Sequence, residues 1–302
     1  MSMALLSRLR PRTAGFFAFL EKPGQRPLMR VAAASFAARG WKVMGVAALS
    51  KALGPSVPCL AGPALAKRCS LLVSLGGDGT LLGAAALAAP LGRPVLGINL
   101  GGLGFITAFG PAGLDAKLQS LLKGRARVEP RRMVRAEVFR RGRRVMALDA
   151  LNELVLARPE VGHLARMQAS LDGRFLASFR ADGLIFSSPT GSTAYNLSVG
   201  GPMVDPASPV LLLSLISPHT LGHRPLVLPD DSVLELKLPL GGMELVADGR
   251  RGFPLRAGDS VRLFRSPLSV KLVFAPDHDP WEVLRDKLGW QGAVEAPGGR
   301  RA

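Results

Sequence analysis

Leu71 to Leu82 reads LLVSLGGDGTLL, and no other stretch limits the fold of this chain so sharply. The run Leu71-Leu72-Val73-Ser74-Leu75 lacks polar alternation, as suits a parallel strand covered on both faces. It stops at Gly76-Gly77-Asp78-Gly79-Thr80, and Leu81 to Ala89 is then rich in leucine and alanine, good helix formers. Strand, glycine turn and helix start predict a phosphate cradle made of backbone. Glycine lets the main chain approach closely, and the N–H groups of a helix N-terminus face an anion. Gly76, Gly77 and Thr80 are assigned to that loop. Asp78 is the anomaly. A carboxylate repels phosphate, and the loop has neither the lysine nor the longer spacing of a P-loop. A carboxylate there can take a proton from a hydroxyl that attacks phosphorus, or hold Mg²⁺. The plain alternative is a turn residue or an N-cap.

The flanking chain alternates strand and helix patterns. Gly15 to Leu20, Trp41 to Ala47 and Pro94 to Asn99 read as strands, and Pro27 to Arg39 and Leu114 to Leu122 as helices. That rhythm predicts a doubly wound parallel sheet with ligands at the carboxyl ends of its strands. A second glycine cluster, Gly101-Gly102-Leu103-Gly104, falls there too and loosely resembles a dinucleotide fingerprint. Beyond it the pattern changes to short apolar or alternating runs split by turns, from Arg135–Arg140 and Arg144–Leu148 to Val261–Arg265 and Ser269–Phe274. Such runs predict an all-β unit, with Asp172-Gly173 as a hairpin turn. The expected fold is therefore α/β plus all-β. A doubly wound α/β domain spans residues 1–122 and a β-sandwich-like domain spans 123–272, with the active site in the crevice between them. Residues 273–302 form a C-terminal segment that returns to the α/β domain, with a helix at Trp281–Leu288 and a disordered Gly- and Arg-rich tail from Gln291.

At 302 residues, 48% apolar, the chain is long enough for two cores. Its net charge of +17 raises nucleic acid, acidic lipid or small polyanions as partners. The densest basic cluster, Arg131 to Arg135 and Arg140 to Arg144, has no nucleic-acid motif and no interleaved aromatics, so a solvated rim is the expected reading and nucleic acid is not an expected partner. The longest apolar run, Leu81 to Leu91, is too short to span a bilayer. No signal peptide is read at the N-terminus, and a cytoplasmic protein with Cys59 and Cys69 as free thiols is expected. His219 and His223 stand four apart, but Gly222 and the flanking Pro218 and Pro225 break a helix there, so no metal site is assigned.

The β half carries its own polar constellation. Asn152-Glu153 interrupts an apolar run, and a buried glutamate calls for a partner or ligand. Arg180-Ala181-Asp182-Gly183 follows. Then comes the hydroxyl-dense Ser187 to Ser198, suited either to sugar and phosphate oxygens or to helix capping.

Together these stretches resemble the NAD kinase family of ATP-dependent NAD 2′-phosphotransferases. The residues carrying the resemblance are GGDGT (76–80), NLGGLGFIT (99–107), LNELVL (151–156), RADGLIFSSPTGSTAYNLSVGGP (180–202) and SPHTLGHRPLVLP (217–229). GGDGT alone is shared with diacylglycerol and sphingosine kinases and, in similar form, with phosphofructokinases. The DG…PTGSTAYNLS run is far more specific. The resemblance implies that ATP and NAD give ADP and NADP, with Mg²⁺ or another divalent cation accompanying ATP, in a homo-oligomer, dimer or tetramer. It implies Asp78 as proton acceptor with Gly79 beside the substrate. Asn152, Glu153, Arg180, Asp182, Thr193, Ala194, Tyr195, Asn196, Leu197 and Ser198 are implied to bind NAD, with Phe105 on a base or ribose and His163 as a further contact. The turn Ala247-Asp248-Gly249-Arg250 resembles a late motif that approaches the same cleft. A lipid or sphingoid-base kinase and a non-catalytic dinucleotide-binding module are the rival readings.

Overall fold

The computed structural model describes residues 5–19, 23–101, 104–107, 110–158, 164–220, 222–250, 252–275 and 278–289. His163 and the tail from Gln291 lie outside them. The first half alternates as expected: α1 (Leu5–Arg8), β1 (Thr13–Phe17), α2 (Arg26–Ala37), β2 (Lys42–Val46), α3 (Ser50–Leu53), β3 (Cys59–Leu60), α4 (Gly62–Arg68), β4 (Leu71–Leu75), α5 (Asp78–Ala88), β5 (Pro94–Ile98) and α6 (Leu114–Ser120). β1, β4 and β5 are buried at every position, because helices cover both faces of a parallel sheet. The strands run in the order β3-β2-β1-β4-β5, all parallel. The order therefore reverses between β1 and β4, the place where open α/β sheets bind ligands.

The second half supplies β6 (Arg127–Arg140), β7 (Arg143–Ala150), β8 (Glu153–Ala157), β9 (Ala165–Leu171), β10 (Arg174–Ala181), β11 (Gly183–Ser187), β12 (Val210–Ile216), β13 (Leu226–Pro229), β14 (Leu234–Lys237), β15 (Met243–Ala247), β16 (Phe253–Leu255) and β17 (Ser260–Phe274), with the short helix α7 (Tyr195–Ser198) and, after β17, α8 (Pro280–Leu288). A six-stranded sheet, β13-β12-β11-β8-β15-β16, packs over β6, β7, β9, β10, β14 and the first part of β17. Leu154, Leu156, Phe186 and Leu213 from one sheet meet Val138, Met167, Leu236 and Leu263 from the other in a single apolar layer. Asp172 and Gly173 both have positive φ, as the β9–β10 hairpin turn requires.

The runs Val261–Arg265 and Ser269–Phe274 are one strand, not two. A bulge between Arg265 and Ser269 interrupts and re-registers the pairing of β17 to β6, which resumes on its far side. Its first part pairs with β14 and its last part lies parallel to β5. Val261 and Leu263 thus enter the β core, while Val270, Leu272 and Phe274 enter the α/β core. β6 does the same with Met133 on one side and Val134 on the other. One sheet of eleven strands therefore runs through both halves.

The arginine cluster is also more structural than a solvated rim. Arg131 is 7% exposed, pairs with Glu129 and stacks its guanidinium on Phe274. Arg132 pairs with Asp230, Arg135 with Asp149, Arg140 with Asp259 and Arg144 with Glu137. Much of this stretch's positive charge is answered locally by strand neighbours.

Candidate active site

α5 begins at Asp78, three residues before the leucine- and alanine-rich run. Gly77 is its extended N-cap, and its carbonyl accepts from Thr80 N and Leu81 N. An aspartate at the first helical position sits well against the positive end of the helix, so the residues that read as a turn are drawn into it.

The carboxylate of Asp78 is anchored. Its Oδ2 accepts the Phe105 N–H at 2.9 Å and its Oδ1 accepts the Ile106 N–H at a longer 3.4 Å. A Cβ on Gly104 would overlap Asp78 Oδ1 and stand 2.8 Å from its Cγ, so only glycine leaves room for the carboxylate there. Asn99 Oδ1 accepts the Gly101 N–H, which turns the chain just after β5. The described part of the second glycine cluster is thus a clamp on Asp78 rather than a dinucleotide fingerprint; Gly102 and Leu103 lie outside the described residues. The Phe105 ring is half-buried against the α/β core.

In the β half the organising group is Asp248. It occupies the turn after β15 with φ of 50°, followed by Gly249 at 64°. Its carboxylate accepts three successive backbone N–H groups, from Leu151 at 2.8 Å, Asn152 at 2.8 Å and Glu153 at 3.3 Å. Its own N–H donates to the Glu153 carbonyl at 3.1 Å. Arg250 completes the knot, donating to the Asp149 carbonyl at 2.9 Å and standing 3.9 Å from the Asp248 carboxylate. The Asn152–Glu153 segment is held from the other side by serines. Ser187 Oγ donates to the Asn152 carbonyl, Ser188 Oγ to the Leu151 carbonyl, and Ser188 N to the Asn152 carbonyl. These hydroxyls of the Ser187–Ser198 run staple the backbone and do not face outward, and Ser188 Oγ also accepts the Gly191 N–H at the start of the helical turn Thr190–Thr193.

What that scaffold presents is unsatisfied. Asn152 Oδ1, Glu153 Oε2 and Thr190 Oγ1 are buried without a hydrogen-bond partner. Buried polar atoms are nearly always paired, so an orphaned group of this kind marks a place for a ligand. Burial and the neighbouring Asp248 charge push the Glu153 carboxyl from 4.5 up to about 7, while the backbone N–H of Tyr195, at the start of α7, pulls the other way. Burial also pushes Asp248 up, but three amides and Arg250 oppose it. The three N–H donors make Asp248 the better seat for the negative charge, so the proton the pair takes up as pH falls through about 7 is assigned to Glu153. Because its folded pKa is raised, the native state holds the proton more tightly than the unfolded chain. Stability from this group is complete below pH 4.5 and declines as pH rises to 7, by an amount on the order of 3 kcal/mol. Glu153→Gln removes the titration. The melting temperature of the variant is expected to gain on that of the wild type as pH goes from 5 to 8; parallel curves would refute the assignment.

A cleft of about 420 Å³ joins the two halves at the reversal between β1 and β4. Phe19, Gly77, Gly79, Thr80, Leu82 and Gly83 line one side, and Asp248, Gly249 and Arg250 the other. A Cβ on Gly77 or Gly79 would meet nothing within 4 Å, so both leave backbone open to an incoming group. Asp78 lies half-buried behind these residues, turned towards Phe105 and Ile106. The Asn152–Glu153 segment reaches the cleft through its bonds to Asp248.

Other expected residues fall elsewhere. Asn196 is fully buried: its amide donates to the carbonyls of Ser192 and Pro202 and its Oδ1 accepts from Ser214, so it braces the loop and has no face for a ligand. Thr193, Ala194 and Leu197 are half-buried, and Tyr195 and Ser198 exposed. Arg180 and Asp182 are exposed at the far end of the β8–β11 ladder. Glu153 pairs with Ser187 and Ala157 with Gly183, which puts Asp182 roughly 13 Å or more from Glu153 at the rise of a strand. The structure does not bring these two to the cleft. Asp248 is the residue whose importance the linear pattern understates. Asp-Gly between apolar runs signals a hairpin, but not a contact with amides about a hundred residues earlier.

Comparison with known proteins follows the same outline. Residues 61–126 match the model of the ATP-NAD kinase N-terminal domain and residues 151–275 that of the C-terminal domain. The NAD kinase of Moorella thermoacetica is 43% identical over 219 residues, 72% of this chain and 70% of that one. The NAD kinase of Syntrophotalea carbinolica is 39% identical over 222 residues, 73% and 78% of the two chains. Among solved structures, yeast NADH kinase complexed with NADH superimposes with a TM-score of 0.85 at 25% identity, covering 96% of this chain and 91% of the other. An Archaeoglobus fulgidus NAD kinase in complex with ATP shares the fold, with a TM-score of 0.71 at 23% identity, covering 93% and 100%.

Proposed function

The chain belongs to the NAD kinase family, and from that premise we propose that it transfers the γ-phosphoryl group of ATP to the 2′-hydroxyl of the adenosine ribose of NAD, giving NADP and ADP. That membership does not favour the lipid-kinase and non-catalytic readings. The observation that carries the chemistry is the pairing of an open glycine loop at a helix N-terminus with a carboxylate fixed inside it. Backbone N–H groups of Gly77 to Gly79 receive phosphate oxygens, where the helix end favours negative charge. Asp78 accepts the proton of the ribose hydroxyl as its oxygen bonds to phosphorus and the bond to the ADP oxygen breaks. Each carboxylate oxygen accepts one amide N–H and keeps a lone pair for that proton.

The dinucleotide is assigned to the β half. Asn152 Oδ1 offers an acceptor to ribose hydroxyls and Glu153 an acceptor or, in its protonated form, a donor, alongside Thr193, Ala194, Tyr195, Leu197 and Ser198. Arg180 and Asp182 reach no part of the cleft, so a role for them on NAD requires the site of a second copy in a homo-oligomer. The divalent cation would arrive on the ATP phosphates, with Asp78 the carboxylate of the loop able to reach it. No described helix is long and apolar enough to cross a membrane, and a cytoplasmic setting accords with two free thiols. The test is a coupled NADP-formation assay with purified protein, MgATP and NAD. Turnover supports the reading, and its absence at saturating substrates removes it.

A further inference from the structure

Phe19 stands just past the carboxyl end of β1 and is 55% exposed, in a chain with only 13 phenylalanines and 6% aromatic residues. It is not a loose surface ring. It meets Phe17 edge to face with centroids 5.3 Å apart. Beneath it, in the middle of α5, is Gly83. A Cβ there would overlap Phe19 Cζ and stand 3.0 Å from Phe17 Cε1, so the ring lies against bare helix backbone. Glycine inside a helix is unfavourable relative to alanine, and here it makes room for an aromatic that stays largely in solvent. The open part of the ring lines the cleft next to Gly77, Gly79 and Thr80, across from Arg250. Phe19 also lies outside residues 61–126 and 151–275, so nothing the family models match accounts for it.

We propose that Phe19 is the stacking platform for the base of the donor nucleotide, whose phosphates rest in the glycine loop beside it. The inference rests on the kinase reading above and adds a purine subsite to it. A π-face is what a planar base uses when no edge contacts are needed, and Phe17 buttresses the ring from its edge so that little freedom is lost on stacking. The donor is favoured over NAD because Phe19 belongs to the phosphate-loop side of the cleft, whereas the orphaned Asn152 and Glu153 groups belong to the other.

The test is calorimetric titration of wild type, Phe19→Ala and Phe19→Trp with ADP, inorganic tripolyphosphate and NAD separately. Phe19→Ala is expected to weaken ADP about 10-fold, in line with loss of one base–aromatic stack, and to leave tripolyphosphate and NAD unchanged. Phe19→Trp keeps ADP affinity, and its fluorescence is quenched by ADP but not by tripolyphosphate. Equal weakening of ADP and tripolyphosphate in Phe19→Ala means the ring only shapes the loop and overturns the inference. Weakening of NAD alone, or of nothing, overturns it as well. If wild type forms NADP while Phe19→Ala binds ADP normally, this inference fails alone; if wild type forms no NADP, the kinase reading fails first.

Discussion

Asp78→Asn lowers kcat for NADP formation by about 10²- to 10⁴-fold, the range set by removing a positioned base, while NAD affinity stays within a few-fold of wild type. The substitution is nearly isosteric. Its remaining oxygen still accepts the Phe105 N–H, the shorter of the two anchoring bonds. Its NH₂ then faces the Ile106 N–H, whose bond is already long at 3.4 Å. The loop therefore keeps its shape and the loss falls on chemistry. Steady-state kinetics with MgATP and NAD, together with direct NAD titration and a thermal melt, separate a chemical role of this carboxylate from a structural one. A fall in kcat with an unchanged melt identifies a role in the chemistry, as base or as ligand of the divalent cation. A fall in melting temperature with kcat intact makes Asp78 a clamp on residues 104–106 and nothing more.

The second large effect is at Asp248. Asp248→Ala leaves the N–H groups of Leu151, Asn152 and Glu153 without their acceptor in a buried setting. At the cost of orphaned buried donors, a loss of about 3 kcal/mol of stability is expected, and NAD affinity falls at least tenfold as Asn152 and Glu153 lose their register (~1.4 kcal/mol). Asp248→Asn is the more informative variant, because it keeps most of the shape and removes the charge. Glu153 is held up at about 7 by burial and by that neighbouring charge. Without the charge its carboxyl ionises at lower pH, so the corresponding limb in the pH profile of kcat/KM for NAD moves to the acid side. A profile that keeps its midpoint while the protein merely melts earlier would show that Asp248 has no electrostatic hold on Glu153.

Local patterns spoke clearly where the physics is local. β4 and the glycine loop were legible because an uninterrupted apolar run followed by glycines has few other solutions. The Asp172-Gly173 hairpin was legible for the same reason. α5 starts earlier than its leucine- and alanine-rich run because Asp-Gly-Thr, which reads as a turn, is drawn into the helix by the dipole and the bonds back to Gly77. Non-local relations were out of reach. Nothing in the spelling of Ser187 to Ser192 says that the hydroxyls at 187 and 188 bind the carbonyls of residues 151 and 152. Nothing near Gly104 announces that its missing side chain makes room for Asp78. The resemblance implies Asn196 as a ligand, yet its side-chain amide is consumed by the loop that carries it. The resemblance groups Arg180 and Asp182 with Glu153, but antiparallel pairing sends them to the opposite end of the ladder.

β6 and β17 belong to both cores and pair with each other on either side of the bulge between Arg265 and Ser269. Two continuous strands, rather than a free linker, thus cross from one half to the other, and any swing of the halves has to be taken up at that bulge. For the same reason the two matched halves cannot be expressed apart and recombined. A cut at residue 126 leaves the α/β piece without the strand that borders β5, and leaves the β piece with the bare ends of β6 and β17 jutting into water.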